Sequence, residues 1–262
     1  MVCANPEAGF LHRRLGSESQ RAKTGLASFE PTRKSALCHL IVVGGHTRSI
    51  GKTQLVCDLI ATFPDERWLA GKITQYGHGV CAQNGKDCDC APTEHVVALD
   101  WELPGRPLTK ENSDTARFLE AGAARAFWLR TKQGYLAEGM PLLRDALAAP
   151  RNKANQGCAD LNVIIESNSL LQFVKPSLYL VVFDASREDF KDSARLMLDR
   201  ADVFVHRPGA DESDAAGSRR LQLPSKLLRE KPSLRQRLGE PLPESLRQLV
   251  KRVLESPPTV TI

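Results

Sequence analysis

The apolar positions of the chain alternate between short continuous runs and helical spacing. Runs at 40–43, 163–165 and 180–183 have the length of buried strands. Residues 55–63 and 136–147 instead place apolar side chains every three or four positions, as an amphipathic helix does. Strands that are apolar throughout and alternate with such helices indicate a parallel sheet covered on both faces. We therefore predict an α/β, doubly wound fold with a mostly parallel sheet.

The boundaries of the single elements follow from the same pattern. Strands are expected at 40–43, 67–74, 125–131, 162–166, 177–184 and 203–205, and the last of these is expected to be the final strand. Helices are expected at 55–63, 115–121, 136–147, 190–200 and after Pro243. Ser113 and its neighbours are suitable N-cap residues for the second of these helices.

The composition divides the chain into four parts. Residues 1–36 contain Gly, Ser, Arg and Lys with little apolar periodicity, which is typical of a flexible leader. Residues 37–206 carry the alternating strands and helices, with a long cysteine-containing connection at 76–112. Residues 207–222 are rich in Pro, Gly, Asp and Ser and are interpreted as a linker, and 223–262 form a C-terminal helical extension.

Bulk composition limits the classes of protein to consider. The chain has 262 residues, 42% of them hydrophobic, which is enough for one large α/β domain. No apolar run approaches the ~18 residues of a membrane span, and no apolar segment follows a basic start as in a secretion signal. We expect a cytoplasmic protein with reduced thiols and no membrane partner.

The net charge of +5 is unevenly distributed. Residues 1–34 carry +3 and residues 219–262 carry +6, so the part between them is mildly acidic. Basic ends of this kind are usually solvated tails. Because no stacking aromatic residues accompany the charge, we expect no nucleic-acid partner.

A glycine-flanked loop lies between the first predicted strand and the first predicted helix. In this arrangement backbone N–H groups surround a phosphate chain, and the helix N-terminus adds partial positive charge. Lys52 would reach the outer phosphates, and the Thr53 hydroxyl would bind Mg²⁺. The sequence therefore predicts a site for Mg²⁺ with ATP or GTP. We call this segment, residues 45–54, the GKT loop; it consists of Gly45, His46, Thr47, Arg48, Ser49, Ile50, Gly51, Lys52, Thr53 and Gln54.

An acidic residue ends a neighbouring strand. Glu166 follows the apolar run 163–165, and ligands gather at the carboxyl ends of strands in doubly wound sheets. Mg²⁺ prefers hard oxygen ligands. We predict that Thr53 and Glu166 hold Mg²⁺ and that Lys52 and Glu166 are the catalytic residues. Asp184, at the end of the next strand, is a second candidate.

The connection at 76–112 carries a cluster of soft ligands. Cys81, Cys88 and Cys90 lie within ten residues, with His78 before them and His95 after. Three thiolates and an imidazole suit a tetrahedral Zn²⁺ site or an iron–sulfur centre. The spacing is not that of a zinc ribbon, so a loop of free cysteines remains the alternative.

Two features of the sequence resemble known families of P-loop proteins. Five residues separate Gly45 from Gly51, one more than usual, and this longer loop resembles that of dethiobiotin synthetase and its relatives. Over residues 38–206 the order of motifs resembles the molybdopterin-guanine dinucleotide biosynthesis protein B family. The motifs are Lys52-Thr53, Gly71-Lys72-Ile73, Asp114-Thr115-x-Arg117, Glu120-Ala121-Gly122-Ala123-Ala124 and Ile164-Ile165-Glu166. The resemblance implies a P-loop NTPase fold.

The chain also departs from those families. Ser167-Asn168 follows Glu166 where a glycine is expected, and Tyr76 to Cys81 replaces a histidine-rich stretch. No guanine-binding motif follows the strand at 203–205. The sequence therefore does not indicate whether the nucleotide is ATP or GTP.

Three functions remain in competition. The first is a slow ATPase or GTPase whose turnover serves molybdopterin-like cofactor or metallocentre assembly, with nucleotide, a small molecule or a client metalloenzyme as partners. The second is an ATP-dependent ligase like dethiobiotin synthetase. The third is a nucleotide-switched adaptor that binds a metal or a partner. The sequence also leaves open whether the chain forms a homodimer.

Overall fold

The computed structural model describes residues 38–77, 96–103, 113–148, 161–208, 223, 225–258 and 260. The strands are β1 (Leu40–Gly45), β2 (Trp68–Tyr76), β3 (Val97–Glu102), β4 (Arg125–Lys132), β5 (Asn162–Glu166), β6 (Leu178–Phe183), β7 (Val203–His206) and β8 (Ser233–Arg235). The helices are α1 (Lys52–Thr62), α2 (Asp114–Glu120), α3 (Leu136–Ala148), α4 (Asp192–Arg195), α5 (Ser225–Glu230) and α6 (Glu244–Glu255).

The strands form one sheet in the order β3-β4-β2-β5-β1-β6-β7-β8. Every neighbouring pair is parallel except β3 and β4, which are antiparallel. The predicted α/β, mostly parallel architecture is therefore confirmed. β3 was not predicted, because it lies at the edge of the sheet and most of its side chains are only half-buried, so its sequence has no clear apolar pattern.

Helices cover both faces of the sheet, as predicted, and β1 shows how the sequence produces two cores. Its side chains alternate between the faces, with Leu40 and Val42 in one cluster and Ile41 and Val43 in the other. Helix α3 packs into the first cluster, while α1, α2 and α6 pack into the second. A strand buried on both sides must be apolar at every position, which is why β1 reads as a continuous run.

The C-terminal segment contributes more than the expected helix. Helix α6 begins after Pro243, as predicted, and buries Leu246 and Val250. Before it, β8 pairs in parallel with β7, with Phe204 opposite Ser233. The expectation that the strand at 203–205 is the last one was therefore wrong. The three residues of β8 are too few to give a strand pattern.

The helix expected at 190–200 is shorter than predicted. Only Asp192–Arg195 is α-helical, and a 3₁₀ turn follows at Leu198–Arg200. The chain then enters β7. Asp202, just before this strand, is held against β6 because its carboxylate accepts from the Tyr179 N–H at 2.7 Å. Among the helices in the described ranges, none is long and apolar enough to cross a membrane.

Candidate functional site

The carboxyl end of β1 is held by one side-chain amide. The Gly45 N–H donates to Asn168 Oδ1 at 2.9 Å, and Asn168 Nδ2 donates to the Gly45 carbonyl at 3.0 Å. A Cβ at Gly44 would clash with the Asn168 side chain and with the Tyr179 ring. The close approach therefore requires glycine at 44, and the amide fixes the point where the GKT loop begins.

We expect Asn168→Ala to destabilise the protein by about 1–3 kcal/mol, because two polar groups of Gly45 lose their side-chain partner. Urea denaturation measures this loss. The exposed Gln172, in the 3₁₀ turn that follows, offers a control: Gln172→Ala should change stability by less than about 0.5 kcal/mol. Equal effects of the two substitutions would contradict the role given to Asn168.

The GKT loop turns into α1 through two residues with left-handed backbone. Ser49 has φ 54° and Gly51 has φ 84°. Gly51 is the N-cap of α1, and within the described residues no side chain caps this helix and no acidic residue lies in its first turn. Helix α2 differs, since the Ser113 hydroxyl accepts from the Ala116 N–H. The first amides of α1 are thus left for another acceptor, and an anion suits them.

Lys52 folds back over the loop that precedes it. Its ammonium donates to the Thr47 carbonyl at 2.6 Å. Burial lowers the pKa of Lys52, although the nearby Glu166 carboxylate opposes this. The ammonium therefore lies over the inside of the loop, paired with a carbonyl.

The residues predicted as the Mg²⁺ pair are in contact. Thr53 Oγ1 donates to Glu166 Oε2 at 2.7 Å. The contact follows from the sheet, because Val43 of β1 pairs with Glu166 of the adjacent parallel strand β5. Glu166 is 5% exposed. The structure thus brings Lys52, Thr53 and Glu166 to one edge of the sheet.

Lys72 and Asp114 join this group from β2 and α2. Lys72 Nζ lies 3.4 Å from Glu166 Oε1 and is also paired with the Asp114 carboxylate. Burial lowers the pKa of Lys72, but the two carboxylates outweigh it and the net direction is upward. Burial raises the pKa of Asp114, but Lys72 and the Thr53 hydroxyl hold it below its usual value. The Lys72 ammonium and the Asp114 carboxylate are therefore charged at neutral pH.

The donor set at this edge fits Mg²⁺. The Thr53 hydroxyl contacts Glu166 and Asp114, and all three residues supply hard oxygen atoms. Mg²⁺ is usually held by one or two carboxylates together with substrate phosphates. In the described part of the chain, no group of three or more His, Cys, Asp or Glu could hold a metal ion.

The predicted soft-metal site lies outside the described residues. This applies to His78, Cys81, Cys88 and Cys90, and to His95. Two cysteines within the described ranges, Cys38 and Cys57, are free thiols, and burial raises the pKa of each to about 11. Such thiols are protonated at neutral pH and poor metal ligands.

A second network links the start of α1 to its surroundings. Arg117 donates to Gln54 Oε1 at 2.6 Å, and Gln54 donates to Asp58 Oδ1 at 2.7 Å. Arg207, 3% exposed, lies 4.0 Å from Asp58 Oδ2 and donates to the Gly51 carbonyl at 3.3 Å. The side chain of Gln54, which we predicted to bind nucleotide, is held by Arg117 and Asp58. Arg117 of α2 and Arg207, which follows β7, therefore hold the C-terminal end of the GKT loop in place.

His46 is fully buried within the GKT loop. Its ring lies between Phe183 and Phe190, with centroid distances of 4.9 and 5.4 Å. Burial lowers its pKa, so the ring is neutral at pH 7. The His46 side chain packs the loop against the end of β6. Only the main chain of His46 is therefore available to a ligand.

Asp184, the second acidic candidate, is engaged elsewhere. Its Oδ1 accepts from the Ser186 N–H at 2.9 Å and from the Ser186 hydroxyl at 2.6 Å. These bonds close a tight turn after β6. Asp184 therefore has a local structural role here.

The sequence analysis named Lys72 and Asp114 only as members of family motifs, and it gave no role in the site to them, to Asn168 or to Arg207. One of them carried a visible signal, since Lys72 is a charged residue inside a strand that is otherwise largely buried. Asn168 follows Glu166 by two residues, but nothing in the sequence shows that its partner is Gly45. That contact depends on the register of β1 against β5.

Comparison with known proteins adds little. No protein-family model matches the chain, and a search of curated proteins finds no significant match. Among solved structures, the chain is similar to the crystal structure of HypB from Helicobacter pylori in complex with nickel. The identity is 16%, the match covers 85% of this chain and 87% of that chain, and the TM-score is 0.43. A likeness at this level carries no functional argument, so the function must be argued from the residues of the site.

Proposed function

We propose that the chain binds a nucleoside triphosphate with Mg²⁺ at the GKT loop and hydrolyses it slowly. One observation carries this proposal. Lys52 lies over a loop with uncapped helix amides, and Thr53 contacts a buried carboxylate at the adjacent strand end. A chance Gly-Lys-Thr sequence at a helix start has no reason to have Glu166 at hydrogen-bond distance.

Each residue of the site has a defined task in this proposal. Amides from Ile50 to Thr53 hold the phosphates, and Lys52 exchanges the Thr47 carbonyl for an outer phosphate oxygen. Thr53 and Glu166 hold Mg²⁺, which neutralises charge on the phosphates when bound. Apart from the exchange at Lys52, the proposal requires little movement of these groups.

Lys72 adds a further positive charge from β2. In the structure its ammonium compensates the Asp114 and Glu166 carboxylates. If Asp114 and Glu166 gave oxygens to Mg²⁺, the Lys72 ammonium would become available to a phosphate or to a second substrate. Lys72 would then stabilise negative charge on the phosphoryl group that is transferred to water.

We also propose which cellular process the nucleotide hydrolysis serves. The resemblance to cofactor-assembly P-loop families supports a role in cofactor or metallocentre assembly, while no comparison supports the molybdenum pathway in particular. The segment after Glu166 begins with Ser167-Asn168 and lacks the glycines of dethiobiotin synthetase, which argues against a ligase of that kind.

A nucleotide-switched adaptor is the second candidate, and one observation favours it. Helix α2 contacts the GKT loop at two points, through Asp114 to Thr53 and through Arg117 to Gln54. A change at Thr53 on Mg²⁺ binding therefore reaches α2 directly. Such a coupled element is what a switch requires.

Calorimetry and phosphate release separate these functions. We expect wild-type protein to bind ATP or GTP only with Mg²⁺ and to release phosphate unaided at a rate on the order of 10⁻³ per second. Release that begins only after a small carboxylic acid is added would instead indicate a ligase. Binding without release, with partner capture in one nucleotide state, would indicate the adaptor. Absence of any nucleotide binding would contradict all three.

A further inference from the structure

The segment between β6 and α4 is fastened onto the GKT loop. The Thr47 hydroxyl donates to the Asp189 carboxylate, and the Lys191 N–H donates to the His46 carbonyl at 2.8 Å. Phe190, between these two residues, packs on the buried His46 ring. Three contacts in consecutive positions thus fix where the Lys191 side chain begins.

The Lys191 ammonium has an unusual environment. The residue is half-buried, and within the described part of the chain its side chain has no hydrogen-bond or salt-bridge partner. Burial, together with the nearby charges of Lys52 and Arg48, lowers the pKa of Lys191 to about 8. A half-buried cation beside other cations is costly unless an anion joins it.

Two carboxylates near Lys191 are already engaged. Asp189 accepts from Thr47, and Glu166 accepts from Thr53 and pairs with Lys72. Within the described residues no carboxylate is paired with the Lys191 ammonium, which leaves this group available to a bound anion. An oxyanion is the chemical group that complements a cluster of ammonium groups.

The order of the strands places Lys191 opposite Lys72. In the sheet, β2 lies on one side of the β5–β1 pair and β6 lies on the other. Lys72 contacts Glu166 from β2, and Lys191 belongs to the segment that follows β6. The charges of Lys52, Glu166 and Lys72 also act on the Lys191 ammonium, so it lies near these groups.

We propose that Lys191 is a further phosphate-binding residue, which contacts the terminal phosphate of the nucleoside triphosphate from the β6 side. The inference rests on the proposed function, since it needs a triphosphate in the GKT loop. It adds a residue that distinguishes triphosphate from diphosphate. Lys72 and Lys191 then flank the terminal phosphate from two sides.

Titration calorimetry of Lys191→Met tests this inference, with nucleoside triphosphates and diphosphates measured side by side in Mg²⁺. We expect triphosphate affinity to fall by roughly tenfold or more, the size of a lost charge-assisted hydrogen bond. Diphosphate affinity should change by less than about threefold, since no terminal phosphate is present. Lys191→Arg should retain the preference for triphosphate, because it keeps the charge.

The exposed Lys175 provides the matched control. Lys175→Met removes the same charge away from the loop and should bind both nucleotides as wild type does. Thermal unfolding without nucleotide confirms that Lys191→Met is folded, and we expect an unchanged or higher Tm because an unpaired cation is removed.

The outcomes separate the two proposals. Wild-type protein that binds no nucleotide overturns the proposed function itself. Wild-type binding with equal losses for triphosphate and diphosphate in Lys191→Met, or with no loss, overturns only the role given to Lys191. A selective loss for triphosphate supports both.

Discussion

Lys52→Ala is expected to lower the affinity for Mg²⁺-bound triphosphate by roughly a hundredfold and to leave the protein folded. The ammonium is the charged donor that lies over the GKT loop, and its present acceptor is only the Thr47 carbonyl. Exchange of that uncharged carbonyl for a phosphate oxygen brings an opposite charge to the ammonium. The substitution removes this gain entirely, whereas most loop amides remain. Calorimetry with ATP and GTP measures the loss.

Stability distinguishes this effect from unfolding. Burial already lowers the pKa of Lys52, so the folded chain gains little from its charge, and Tm without nucleotide should stay within a few degrees of wild type. Lys175→Ala, at an exposed position, removes the same kind of side chain and should keep wild-type affinity. If Lys52→Ala bound ATP and GTP as tightly as wild type, the GKT loop would not be the site.

Glu166→Gln is expected to reduce turnover by about a hundredfold or more and to weaken the dependence of binding on Mg²⁺. The amide oxygen can still accept from Thr53, so the local geometry is kept while the negative charge is lost. Lys72 then retains Asp114 as its only carboxylate partner within the described residues. Phosphate release at several Mg²⁺ concentrations measures both effects.

The control for this charge change is Glu120→Gln, at the exposed end of α2. It should leave turnover and the Mg²⁺ response unchanged. A Glu166→Gln variant that follows the wild-type Mg²⁺ curve would contradict the assignment of Glu166 to the metal side of the site. A variant that binds triphosphate but turns it over slowly would support it.

The central part of the fold could be predicted because its signals are local. A run of four apolar residues at 40–43 is a strand buried on both faces, and the next residues turn into a helix with one apolar face. Glu166 could be placed because the carboxyl ends of neighbouring parallel strands meet at one edge. Both inferences need only the order of strands and helices along the chain.

The rest of the site depends on contacts between distant residues. Asn168 and Gly45 are in contact although 123 positions separate them in the sequence, and Lys72 and Glu166 are 94 positions apart. These contacts are set by strand register and packing, which no short sequence window contains. The β3 and β8 strands were missed for a related reason, since edge strands are partly exposed or too short to show periodicity.

The proposal that the cysteine loop binds Zn²⁺ or an iron–sulfur centre stays a prediction. The same applies to the flexible leader, the linker and a homodimer. Metal content of freshly purified protein, compared with a Cys88→Ser and Cys90→Ser double variant, addresses the first of these independently of the nucleotide site.

The central claim is that the main-chain amides of the GKT loop enclose a polyphosphate. Backbone amide chemical shifts recorded during titration with Mg²⁺ and a triphosphate nucleotide test it most directly. The account predicts that the largest shifts belong to residues 46–53, with smaller ones at Glu166 and Lys191. Large shifts confined to another part of the chain, or no shifts at millimolar nucleotide, would contradict it.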